Sequence, residues 1–140
     1  GASLDAILAS VRAPKHLIER PWLRPVYDEP EFVVRNVWRL YGGWWDGNPS
    51  RLKPARDTEV AREVAALAGG ADVLARRAEV LSATGDHALA CHLVEWAARA
   101  APDDASIAAV RASVYGRRTE AEGSLMAKGI FSDAARSRPR

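Results

Sequence analysis

A single cysteine, Cys91, excludes any disulfide within the chain and leaves the redox compartment open. A single methionine, Met126, and an opening "GASLDAILAS" with neither an initiator nor a secretory apolar core suggest a processed product or a piece of a longer protein. No apolar run approaches the roughly 18 residues of a membrane span, so none is expected. An excess of charge of one sign is missing too. The formal net charge is +2, too small to point to nucleic acid. Motifs of catalysis are missing: there is no Ser-His-Asp set in a motif, no phosphate-cradling glycine loop and no His-x-His pair of a metallohydrolase. Catalysis by this chain alone is therefore not expected.

What remains is an ordinary globular composition, 48% hydrophobic and 27% charged, in 140 residues, enough for one domain with a real core. The aromatics are uneven. Trp22, Tyr27, Phe32, Trp38, Tyr41, Trp44 and Trp45 crowd the first third, leaving Trp96, Tyr115 and Phe131 for the rest. Residues 1–54 read as an arm and a tryptophan-rich junction, residues 55–131 as repeat-like helices, and residues 132–140, with Arg136, Arg138 and Arg140, as a disordered basic tail.

Ser3 caps a short helix over residues 4–13, and residues 16–20 add a turn before Pro21. Pro21, Pro25 and Pro30 each disfavour helix at the preceding residue, which predicts an extended segment over 20–30. Asp28 then caps a helix over 31–41, with Glu29 and Glu31 at its positive end and Pro30 where no donor is lost. Its apolar residues lie on two lines, Val33, Val37, Leu40, Trp44 and Val34, Trp38, Tyr41, leaving only Arg35, Asn36 and Arg39 polar.

Asp57 caps the next helix, with Val60, Val64 and Leu67 at helical spacing and Gly69-Gly70 at its end. Leu74, Ala78 and Leu81 mark the core face of a following helix that stops at Gly85. Ala90, Val94, Ala97 and Ala101 mark another, which stops at Pro102. Ile107, Val110 and Val114 mark a fourth, after which the pattern loosens. Counted from Ala71, the residues Ala78, Leu81, Gly85, Ala90, Val94, Ala97 and Pro102 fall where a tetratricopeptide-type repeat places small residues, turn glycine and closing proline. Ala112 and Tyr115 begin a second period. The expected fold is an all-α helical bundle with tetratricopeptide-like antiparallel helix pairs and an extended N-terminal arm. One full repeat is less than a solenoid needs, so packing must come from elsewhere in the chain or from a partner.

Candidate chemistry is thin. His87, Cys91, His92 and Glu95 suggest a zinc site, but adjacent Cys91 and His92 point about 100° apart on a helix, and a small cysteine on a packed face explains them as well. Arg35 and Arg39, one turn apart, repel by a few tenths of a kcal/mol unless something anionic faces them. Either they snorkel over aromatic surface or they turn toward an acidic element or a sulfate-like group. In "RLYGGWWDGNPSRLKP", residues 39–54, Gly42-Gly43 ends a helix and "DGNP" is a turn signal. A surface turn has no need of Trp44 and Trp45, so both indoles must be buried against something.

Together, "RPWLRPVYDEPEFVVRNVWRLYGGWWDGNPSRLKP", "LAGGADVLARRAEVL", "GDHALACHLVEWAARAAPDD" and "SLMAKGIF" resemble the alkyl sulfatase dimerisation domain. This is the helical middle domain of metallo-β-lactamase-superfamily alkyl sulfatases, and the resemblance runs from about Ser3 to Phe131. It implies a non-catalytic homodimerisation and interdomain-packing role within a zinc-dependent enzyme that hydrolyses alkyl sulfate esters. It implies no cofactor in this segment and two zinc ions in an upstream domain, with a sterol-carrier-like domain downstream. It further implies Trp38, Trp44, Trp45 and Arg35 as interdomain or dimer contacts, and Tyr41, Arg39 and Asn48 at the border of the intact enzyme's sulfate pocket. The rival reading is a free-standing helical-repeat module that binds peptides through its tryptophan-rich region.

Overall fold

A computed structural model describes residues 1–139; Arg140 of the basic tail lies outside the described residues. Among them, eight α-helices and one short 3-10 turn form the regular structure and no strand occurs, so the fold is all-α. The chain divides into two compact units. One comprises residues 1–54 with 123–126, the other residues 55–122 with the chain from 127 onward.

The second unit holds α4 (Asp57–Ala68), α5 (Ala71–Ala83), α6 (His87–Ala100), α7 (Ala105–Ala121) and most of α8 (Leu125–Arg136). Its punctuation has local causes. Gly69 takes a left-handed φ of 89° after α4, and the Gly70 N–H donates to Ala65 O at 2.8 Å, satisfying a carbonyl that the helix end would orphan. Asp86 caps α6 and Asp104 caps α7, the latter accepting from the N–H groups of Ser106 at 2.8 Å and Ile107 at 3.2 Å.

The core is built largely of alanine. Ala65, Ala75, Ala97 and Ala98 pack with Leu74 and Ile107; next to them, Ala78 and Ala90 pack with Leu81, Val94, Val114 and Tyr115. Small side chains let helix axes approach closely, so little volume suffices to exclude water. Of the expected core positions, Leu74, Ala78, Leu81, Ala90, Val94, Ala97, Ile107 and Val114 are buried, whereas Val64, Ala101 and Val110 are only partly so.

Several expectations are corrected. The inward face of α4 is Ala61 and Ala65, while Val60 and Leu67 stay exposed, because alanine is what the closely packed neighbouring helices admit. Asp57 is the first residue of α4 and not its cap. Its carboxylate meets Arg99 at 3.2 Å, and the Glu59 carboxylate accepts from the Arg56 N–H at 3.1 Å. At α3 (Pro30–Gly42) the cap position is Glu29, whose N–H donates to Asp28 at 2.8 Å. Helix α8 continues to Arg136, five residues into the segment read as a disordered tail. It is held there by Arg111, which donates to the carbonyls of Ala134 and Ser137.

The first unit contains α1 (Leu4–Ser10), α2 (Lys15–Ile18), α3 and a 3-10 turn at Pro49–Arg51. Residues 20–23 are a turn rather than extended chain. The Leu23 N–H donates to Arg20 O at 3.0 Å, with Pro21 at the turn position its fixed φ suits. No residue of 1–54 is buried; within this unit only Ser124 is.

Overfilling the alanine core should therefore cost more than altering the exposed apolar stripe of α4. Ala97→Leu is expected to destabilise by about 1–3 kcal/mol in urea unfolding, whereas Leu67→Ser, 81% exposed, should stay within about 0.5 kcal/mol.

Candidate functional site

Glycine and proline set the ends of the site. Pro30 opens α3 with a ring already fixed at helical φ, and Gly43, at φ 83°, closes it in a conformation that residues with a Cβ avoid. The start of α3 is tied from far along the chain. The Ser124 hydroxyl donates to the Glu29 carboxylate at 2.6 Å, and the N–H groups of Leu125 and Met126 donate to Val26 O at 2.8 Å and Tyr27 O at 3.1 Å.

Helix α3 presents apolar residues on two lines and buries none. Alongside α1 it forms an apolar groove of about 510 Å³. Ile7 and Val11 make one wall, Val33, Val34, Val37 and Trp38 the other, and Tyr41 and Gly42 lie at the C-terminal end of α3. Val33 and Val37 are half exposed, and Leu40 and Tyr41 largely so.

The loop after α3 is built by its own hydrogen bonds. The Asp46 carboxylate accepts from the Asn48 N–H at 2.9 Å and pairs with the Arg51 guanidinium. The Asn48 side-chain oxygen accepts from the Ser50 N–H at 3.1 Å and its hydroxyl at 2.9 Å, capping the 3-10 turn. Gly47, at φ 87°, makes the bend. The Trp45 indole N–H reaches Asn48 O at 3.4 Å. The loop is internally bonded, yet Trp44 is 75% and Trp45 44% exposed, so the indoles expected to be buried are not covered within this chain.

Each residue singled out from the sequence now has a place. Trp38 lines the groove and is half-buried. Arg35 does not share an anion with Arg39: it pairs with Glu31 at 3.2 Å, one turn back. Arg39 sits exposed in the last turn of α3 and forms no ion pair among the described residues. Tyr41 is 85% exposed, and no hydrogen bond among the described residues joins Arg39, Tyr41 and Asn48. The sequence reading overlooked Asp46 and Arg51, although an Asp-Gly-Asn-Pro turn followed by an arginine is a readable signal for such a clasp.

The His87, Cys91, His92 and Glu95 group does not fit a zinc ion. Glu95 is engaged by Arg111 at 2.6 Å and Arg99 at 3.6 Å, and the Arg111 guanidinium lies 4.9 Å from the centre of the Tyr115 ring. Burial pushes the Cys91 thiol up to about 11, away from the thiolate a metal needs. Among the described residues, no group of three His, Cys, Asp or Glu side chains is placed to hold a metal. No helix among them is long and apolar enough to cross a membrane.

Comparison with known proteins decides the family. A family model described as alkyl sulfatase dimerisation matches residues 3–139. The chain belongs to the alkyl sulfatase dimerisation family. It is 32% identical over 118 residues to a linear primary-alkylsulfatase of Pseudomonas sp. (strain ATCC 19151), covering 84% of this chain and 22% of that protein. It is 31% identical over 94 residues to an (R)-specific secondary-alkylsulfatase of Pseudomonas sp., covering 66% of this chain and 14% of that one. Among solved structures, a double mutant of the sec-alkyl sulfatase PisA1, from Pseudomonas sp., superposes with a TM-score of 0.87 at 25% identity, over 97% of this chain and 22% of that one. The alkyl sulfatase dimerisation domain described here thus spans about a fifth of the length of these relatives or less.

The Asp46 clasp yields a pH prediction. Its carboxyl is held below the ordinary value of 3.8, first by the Asn48 backbone N–H and then by Arg51. The folded value is the lower one, so the stability the clasp contributes is present above the ordinary value and is lost as pH falls through the folded value. The Asn48 amide resonance should follow this protonation with a midpoint below 3.8. Asp46→Asn should give the displaced signal already at pH 7.

Proposed function

We propose that this domain pairs with a second copy of itself within a longer, zinc-dependent enzyme that hydrolyses alkyl sulfate esters. The observation that carries this reading is the bare apolar surface of the first unit. Trp22, Tyr41 and Trp44 are each at least 75% exposed, and no residue of 1–54 is buried. A surface of that kind on a stable protein marks an interaction site. The family description supplies the type of interaction, dimerisation, and the names of the relatives supply the substrate class.

The longer protein in this reading carries a metallo-β-lactamase domain upstream, which holds two zinc ions, and a sterol-carrier-like domain downstream. The zinc supplies the hydrolytic chemistry, and the residues of this chain contribute shape. Trp38, Trp44, Trp45 and Arg35 lie at interdomain or dimer contacts. Tyr41, Arg39 and Asn48 border the sulfate pocket. The exposed Tyr41 side chain and Arg39, which forms no ion pair among the described residues, favour such a role, since a guanidinium and a phenol both suit a sulfate oxygen. Asn48 retains only its amide N–H₂ for it, because its oxygen serves Ser50.

Sedimentation equilibrium should find this chain dimeric at micromolar concentration, and a monomer at all concentrations would contradict the pairing. In the full-length enzyme, Tyr41→Phe should lower alkyl sulfate turnover about tenfold or more, the loss of one charge-assisted hydrogen bond of about 1.5–3 kcal/mol. Unaltered turnover would remove Tyr41 from the pocket.

A further inference from the structure

Helix α3 buries none of its residues, and among the described residues α1, of seven residues, is the one helix packed on it. A helix as short as α1 does not hold its own shape, so it does little to fix the direction of α3. What fixes that direction lies at the N-terminal end. Ser124, 1% exposed, donates its hydroxyl to the Glu29 carboxylate at 2.6 Å, across 95 residues of chain. Beside it, the N–H groups of Leu125 and Met126, which the first turn of α8 leaves without helical partners, donate to Val26 O and Tyr27 O. Three bonds thus converge on residues 26–29, immediately before Pro30 opens α3.

We propose that Ser124 and Glu29 are positioning residues for the sulfate pocket: their bond sets the direction of α3 and so places Arg39 and Tyr41 near its far end. This rests on the reading above that puts those two side chains at the pocket. Neither Ser124 nor Glu29 acts on sulfate itself, since Ser124 is buried and Glu29 stands at the opposite end of the helix from Arg39 and Tyr41. The lever is long. At about 1.5 Å per residue, Tyr41 lies roughly 18 Å along the axis from Glu29, so a tilt of about 3° at the base moves it by about 1 Å. A displacement of that size costs up to about a hundredfold in rate when the displaced group holds the reacting molecule. The bond suits this task. A hydroxyl donating to a carboxylate is charge-assisted, short and directional, and Ser124 is shut off from water that would compete for it. Glu29 also carries its negative charge at the positive end of α3, a second attraction that holds it in place.

Kinetics of the full-length enzyme with octyl sulfate, a linear primary alkyl sulfate, test this. Ser124→Ala and Glu29→Ala should each lower kcat/KM about tenfold. Glu29→Gln, which keeps an oxygen to accept the hydroxyl, should recover most of that loss. In an enzyme that already carries Arg39→Ala and Tyr41→Phe, Ser124→Ala should cost less than about twofold more, because the groups it displaces are gone. Hydrogen exchange should quicken over residues 33–42 in Ser124→Ala and stay unchanged in α5, α6 and α7, which separates tilting from unfolding. If Ser124→Ala loosens those helices as well, the half-buried Glu29→Ala decides by the same comparison. A loss that persists in full without Arg39 and Tyr41 would overturn the positioning role. So would full turnover in Ser124→Ala and Glu29→Ala where Tyr41→Phe is impaired. Unaltered turnover in the Arg39→Ala, Tyr41→Phe enzyme would overturn the pocket reading, and this role with it.

Discussion

Apolar side chains have to leave water, and the first 54 residues of this chain have no interior in which to place theirs. At roughly 25 cal/mol per Å² of apolar surface, the exposed aromatics of this segment represent a large unsatisfied driving force. Helices α1 and α2, of seven and four residues, are too short to be stable on propensity alone. Their order depends on what they pack against. The same constraint accounts for the long-range tie from Ser124 to Glu29 and for the internally bonded Asp46 loop, both of which fix backbone where no core does so.

The second unit meets the constraint within itself by a different route. Its helices are lined with alanine where they meet, so close approach replaces bulk. One buried charge, Arg111, is fully engaged: Glu95 pairs with it, Tyr115 lies under it, and the last carbonyls of α8 accept from it. A cation at a helix C-terminus is the favourable arrangement of charge and dipole. The domain thus joins a self-sufficient unit to a unit that presents surface, a division suited to a domain whose family is described as mediating dimerisation.

Much of this was readable from the residues. Gly69-Gly70, Gly85 and Pro102 mark helix ends because left-handed turns and a missing donor leave the chain few options. The family was legible in the "YGGWWDGNP" stretch. The inward face of α4 was not, because Val60, Val64 and Leu67 at helical spacing outweigh Ala61 and Ala65 in any reading that equates hydrophobic with buried. The length of α8 was hidden for a related reason: its C-terminal turns are secured by a side chain 23 residues away, Arg111 to Ala134. At the candidate site, the sequence called for Trp44 and Trp45 to be buried, whereas the structure leaves them 75% and 44% exposed, and the partner of Arg35 was not legible either. Glu31 one turn back takes the place of an external anion.

Hydrogen exchange of α3 as a function of protein concentration tests the central claim most directly, since the claim is that another copy covers this helix. The account predicts that amides of residues 33–42 gain protection as concentration rises through the dimerisation range, while α5, α6 and α7 exchange at rates independent of concentration. Protection of α3 that is the same at nanomolar and at high micromolar concentration would contradict it.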